Sequence, residues 1–179
     1  TSEFGFVEQP DDYLLFFGRI HPEKGAREAI AAAKHCQKKL IIAGLIQDTD
    51  YFNTHILPAI DNKNVVYVGN CGPAQRNKLL GSALALLHLI SFEEPFGLSV
   101  VEAMCCGTPV VAFNRGSMPE LIRHGRTGYL VTTIEEAVAA VYELSKLNRN
   151  ECRQWALAMF SKERMTDEYL RLYEQILNA

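Results

Sequence analysis

Four charged residues stand at spacings that suit work on a ligand carrying both phosphate and hydroxyls. Glu94 and Glu102 bracket seven residues in Glu94-Pro-Phe-Gly-Leu-Ser-Val-Val-Glu102. Arg19 and Lys24 bracket four in Gly18-Arg-Ile-His-Pro-Glu-Lys24-Gly25. An ionised carboxylate only accepts hydrogen bonds, so it suits hydroxyls and is ill matched to phosphate. Arg grips phosphate oxygens through paired N–H groups, whereas Lys acts as a mobile point charge. Taken one at a time these residues carry little: an isolated Arg/Lys pair is most often a solvated loop pair, and Glu102 alone reads as a surface helix residue. Glu94 alone reads as an acid favouring a helix N-terminus. The conjunction is what points to a sugar nucleotide.

The elements that must position them follow from the apolar runs. Ala83 to Ile90 feeds a turn carrying Glu93, Glu94, Pro95 and Gly97, and a helical pattern begins near Leu98. That is a strand, a turn and a helix N-terminus, whose unpaired N–H groups and dipole favour an anion. Tyr13 to Phe17, ending at Gly18, is a strand buried on both faces, and a helix follows to about Cys36. Lys39 to Ala43, Asn64 to Val68, Pro109 to Phe113 and Gly128 to Val131 are further strands. Helices are expected from the loop at Gln47 to Asp50 through about Ile60, from Pro73, at Glu120 to Arg123, at Ile134 to about Leu147, at Glu151 to Phe160 and at Lys162 to Leu177. The fold class is α/β: a Rossmann-like parallel sheet of about six strands with helices on both faces and C-terminal helices appended. Ligands of such sheets bind at the carboxyl ends of the strands. The chain divides into a linker at 1–12, a nucleotide-sugar-binding domain at 13–160 and a terminal helix at 161–179. That helix carries a broad apolar face, from Tyr169 to Leu177, part of which should be exposed.

Glu94 to Glu102, continued by Ala103-Met104, Gly107 and Pro109-Val110-Val111, resembles the E-x7-E motif of retaining glycosyltransferases of the two-domain GT-B architecture, in the large family 4 group. Gly18-Arg19 with Lys24-Gly25 is similar to that family's G-R-x-x-x-x-K-G motif. The resemblance covers nearly the whole chain but only the donor-binding half of the architecture. It implies that Arg19 and Lys24 hold the donor diphosphate, and that Glu94 accepts hydrogen bonds from the donor sugar. Backbone amides of Phe96, Gly97 and Leu98 would crowd sugar and phosphate, Ser99 would bind in the same site, and Glu102 would hold the ribose. Gly18 would line the same pocket, and the base is expected near Gly69 to Pro73. The implied partners are a GDP-sugar or UDP-sugar and an amino-terminal acceptor domain, with the terminal helix crossing toward that domain. The family's habits lean to mannose over glucose. No cofactor and no metal are expected. Asn114 to Glu120 resembles the N-x-G-G-x-P-E loop, with Ser117 in place of a glycine.

Other residues take plainer readings. Asp48-Thr-Asp50 has the form of a metal-binding D-x-D, but at a helix start Asp caps. His88, in an apolar strand, reads as a satisfied core histidine, His21 and His124 are weak candidates, and Glu93 reads as solvated. A glycosidase-like carboxylate pair would leave the cations without a role. A dinucleotide oxidoreductase would share the fold, but no G-x-G-x-x-G opens the first unit. A noncatalytic nucleotide-sugar-binding or partner-binding module is the remaining alternative. The 179 residues fit one domain, and a net charge of -3 offers no attraction to nucleic acid. No apolar run reaches membrane-span length, so any peripheral membrane contact falls to the acceptor domain. Five cysteines without a C-x-x-C read as reduced thiols in a cytoplasmic protein.

Overall fold

The short apolar runs bounded by glycine or polar turns form six strands in the computed structural model, which describes residues 4 to 178. The ends of the expected linker and terminal helix, Thr1 to Glu3 and Ala179, lie outside the described residues. The strands are β1 (Tyr13–Phe17), β2 (Lys39–Ala43), β3 (Val65–Tyr67), β4 (Ala85–His88), β5 (Val110–Phe113) and β6 (Gly128–Val131). All pairings are parallel, in the order β3-β2-β1-β4-β5-β6. From β1 the chain winds outward to β3, then returns to pair β4 with β1 and winds the other way. The crossovers leaving β1 and β4 therefore diverge, opening a crevice at their carboxyl ends, the topological switch point where such sheets bind ligands.

Side chains alternate across each strand, so one sheet has two cores. Leu14, Phe16, Leu40, Ile42 and Leu87 face α1 (Ala26–His35) together with a later helix over Ile134–Tyr142. Leu15, Leu86, Val110 and Ala112 face the opposite layer. That layer holds the helices Pro73–Ser82, Leu98–Cys105 and Arg149–Met159. In chain order the remaining helices are α2 (Thr49–Tyr51), α3 (Pro73–Ser82), α4 (Leu98–Cys105), α5 (Met118–Leu121), α6 (Ile134–Tyr142), α7 (Arg149–Met159) and α8 (Lys162–Leu177).

Three expected helices differ in extent. The helix expected to run to Ile60 is α2, a π-helical turn at Phe52–Ile56 and a 3₁₀ turn at Leu57–Ala59. Pro58 has no N–H to continue an i→i−4 ladder, so the segment tightens there and stops. The helix expected to reach Leu147 ends at Tyr142, and a 3₁₀ turn at Leu144–Lys146 completes it. The short helix expected at Glu120 starts at Met118, with Pro119 in its first turn, where a missing N–H costs nothing.

Residues 4 to 12 have no regular structure but are strapped to the fold. Val7 N donates to Cys106 O (3.3 Å) and Asp11 N to Ser82 O (2.8 Å). Arg149 anchors this strap from the first turn of α7, donating to Val7 O, Ala83 O, Gly81 O and Thr108 Oγ1 at 2.6 to 3.0 Å. By contrast, no residue of α8 is buried, and Tyr169, Leu170, Leu172, Tyr173, Ile176 and Leu177 show their apolar face to solvent.

Candidate functional site

The turn after β1 is built to deliver cations to the crevice. Gly18 closes the strand, with its N–H donating to Ala43 O (3.0 Å), and Arg19 points outward. A 3₁₀ turn at Pro22–Lys24 then meets Gly25, whose φ of +79 starts α1. A Cβ at Gly25 would overlap the backbone of Leu89 and Ile90, so only glycine lets this turn sit against the end of β4. There Lys24 Nζ reaches Glu94 Oε2 at 2.7 Å and lies 4.3 Å from the centre of the Phe92 ring. Ser91 N donates to Glu23 O at 3.0 Å, so the two crossovers are joined through backbone as well as through charge. The Lys24 and Glu94 side chains are only 18% and 17% exposed, so water screens this pair far less than a surface pair.

The turn after β4 is shaped by Gly97, with φ +89, immediately before α4. A Cβ there would stand 2.8 Å from Met118 Cε. The chain therefore enters α4 with its first N–H groups free of intrahelical partners. The loop at 114–119 clasps this turn. Ser117 N donates to Glu94 O (3.0 Å) and Ser117 Oγ to Phe96 O (2.7 Å). The serine that replaces the family's glycine thus supplies a hydrogen bond of its own. Glu93 is solvated as expected, with its side chain 71% exposed, and from there it accepts from Gly116 N and lies 3.8 Å from Arg115.

Glu102, one turn into α4, accepts from Arg76 Nη1 of α3 at 3.0 Å. Burial pushes its carboxyl above the ordinary value, and Arg76 pulls it back. Arg76 also lies over the Phe4 ring, 5.3 Å from its centre. Sequence reasoning did not find Arg76. It lies 26 residues from its partner on another helix, and nothing in its neighbours marks it.

These features enclose a cleft of about 460 Å³. Its walls include Gly18, Arg19, Lys24, Glu94, Phe96, Gly97, Leu98, Ser99 and Glu102, so both crossovers meet in one place. Gly69 stands apart: it follows β3, two strands from β1, and its carbonyl accepts from Gly44 N (2.8 Å). The cleft also has a wall residue that sequence reasoning misjudged. His88 is buried as expected, but it is not satisfied, since its Nε2 has no hydrogen-bond partner. Strand alternation places it on the α4 face of the sheet, and as the last residue of β4 it ends at the cleft floor.

Asp48 caps α2, accepting from Tyr51 N at 2.8 Å. His124 Nδ1 accepts from Leu130 N (3.1 Å). Among the described residues no three His, Cys, Asp or Glu side chains gather to hold a metal ion, all five cysteines are free, and no helix is long and apolar enough to cross a membrane.

Residues 3–159 match the family model described as "Glycosyl transferases group 1". A "Probable sucrose-phosphate synthase" of Thermosipho melanesiensis is 34% identical over 98% of this chain and 43% of its own length. Among solved structures, AviGT4, described as a glycosyltransferase involved in Avilamycin A biosynthesis, matches with a TM-score of 0.83 and 27% identity. That match covers 99% of this chain and 56% of AviGT4. The C-terminal domain of a Francisella tularensis glycosyl transferase group 1 family protein shares the fold at a TM-score of 0.71 and 20% identity, over 90% of this chain and 97% of that domain. The chain spans roughly a quarter to a half of the length of the curated relatives it matches.

Proposed function

The chain belongs to the glycosyl transferases group 1 family, and on that premise we propose that it is the donor-binding domain of a retaining hexosyltransferase that takes its sugar from a nucleoside diphosphate. The observation that carries this reading is the Lys24–Glu94 pair. It ties a phosphate-type cation and a hydroxyl-type acceptor together across the switch point, at the mouth of the α4 N-terminus. A lysine has three N–H donors, so Lys24 can hold Glu94 and a phosphate oxygen at once.

In this reading Arg19, Lys24 and the first amides of α4 bind the diphosphate, and Glu94 accepts from hydroxyls of the transferred sugar. Glu102, oriented by Arg76, accepts from the ribose, and the base extends toward Gly69 to Pro73. Transfer forms the bond between the acceptor oxygen and the anomeric carbon on the face the diphosphate leaves. The anomeric C–O bond breaks, and the acceptor proton passes to the departing phosphate. Charge that develops on the leaving group meets Arg19, Lys24 and the helix terminus, which together stabilise it. These cations can do the work a metal does elsewhere, so no metal enters the scheme. In this reading the acceptor belongs on a second, amino-terminal domain, and the protein works in the cytoplasm. Mannose and glucose are the candidate sugars.

Calorimetric titration of this chain with UDP, GDP, UDP-glucose, GDP-mannose and NAD tests the proposal. One nucleoside diphosphate series should bind, and Lys24→Ala should weaken it about tenfold, the value of one charge-assisted contact. Glu102→Ala should weaken it comparably. Binding of NAD alone, or nucleotide binding indifferent to both substitutions, would overturn the assignment.

A further inference from the structure

We propose that His88 is a sugar-contacting specificity residue, whose Nε2 hydrogen-bonds a hydroxyl of the transferred sugar beside Glu94. The inference rests on the reading above that the cleft takes a nucleoside diphosphate sugar.

Three buried side-chain atoms among the described residues lack a hydrogen-bond partner: Glu28 Oε2, Arg76 Nε and His88 Nε2. Only His88 belongs to the wall of the cleft. Folded chains leave few such atoms, and each calls for a partner that the protein alone does not supply. At His88 the cleft is where that partner can arrive.

The chemistry of the surroundings selects which part of the ligand this is. In that reading the anion is served by two permanent cations, Arg19 and Lys24, and by the α4 terminus. Burial holds the imidazole pKa down near 4, with Glu94 acting to raise it and Lys24 to lower it further. The ring is therefore neutral at physiological pH, carrying one N–H and one lone pair. A neutral ring is a poor match for phosphate and a good one for a hydroxyl, which both donates and accepts. Glu94 is an acceptor only. A hydroxyl that donates to Glu94 and accepts from the His88 N–H is held from two sides, and an epimer that turns that hydroxyl away loses both contacts. Discrimination by a buried polar group left unpaired is larger than discrimination by apolar fit.

Titration of the wild-type chain, His88→Leu and His88→Gln with UDP and UDP-glucose, and with GDP and GDP-mannose, separates the outcomes. The wild type should bind the sugar nucleotide of one series more tightly than the bare diphosphate. His88→Leu should lose about tenfold in sugar-nucleotide affinity while diphosphate affinity stays within about twofold, and His88→Gln, which keeps an amide N–H, should recover most of the loss. A His88→Leu variant that keeps the wild-type ratio, or loses both ligands equally, overturns the inference and leaves the donor site standing. A wild-type chain that binds none of these ligands overturns the donor-site reading, and this inference with it.

Discussion

A histidine buried at the floor of a cleft, with a ring nitrogen left unpaired, must influence folding as well as binding. In the unfolded chain His88 takes up a proton near pH 6.5, but in the folded protein desolvation delays this to about pH 4. The folded-state value is depressed, so its stabilising contribution is complete above pH 6.5 and is lost as pH falls toward 4. Glu102 has the opposite sign. Its carboxyl is raised chiefly by burial, so stability falls as pH rises through the region just above 4.5. The two trends overlap, so the test is a difference. His88→Leu should be more stable than wild type at pH 8, because an unpaired buried nitrogen is gone. In urea unfolding its advantage should widen by about 2 kcal/mol between pH 8 and pH 5. A constant difference would refute the burial argument. Glu94 and Lys24 were legible in the sequence because each sits in a spaced motif beside a strand end. Arg76 was not, because an arginine inside an exposed helix pattern looks the same whether or not it meets a carboxylate from another helix. His88 was read as satisfied for a related reason: strand alternation gives the face a residue occupies but not whether its ring nitrogen finds a partner there.

At the scale of elements, the cleft depends on how closely the first crossover packs against the end of β4. Gly25 makes that contact, and its φ of +79 and absent side chain are both required. Gly25→Ala should destabilise the chain by about 3 kcal/mol, since a backbone clash is added to left-handed strain. Gly72→Ala is the control. Gly72 has an extended backbone and open space where a Cβ would go, so urea unfolding should register a change within about 0.5 kcal/mol. Similar losses for both would show that general glycine flexibility, rather than this contact, matters. The strands could be read from sequence because buried parallel strands are short apolar runs with sharp ends. Segment 49–60 could not. Its apolar spacing is helical, but the π turn and the Pro58 stop are settled by local crowding and a missing N–H.

The whole molecule is a sheet with one well-used rim and one bare helix. The order β3-β2-β1-β4-β5-β6 brings residues 70 positions apart in sequence, Lys24 and Glu94, within hydrogen-bonding distance. That juxtaposition requires the return from β3 to β4, which no local pattern encodes. It was reached from the alternation of strands and helices, which gathers the strand ends on one rim, together with the resemblance of the two motifs to one family's donor site. The exposed apolar face of α8 was foreseen from its spacing, and in the proposed architecture it would lie against the acceptor domain. The central claim is that the two crossovers form one ligand site. Amide chemical-shift mapping of the isotopically labelled chain during titration with UDP and GDP tests it most directly. Gly18, Arg19, Gly97, Leu98 and Ser99 should shift together along one saturating curve. Shifts confined to one crossover, or gathered at the opposite rim around Asp12, Lys39 and Lys78, would contradict it.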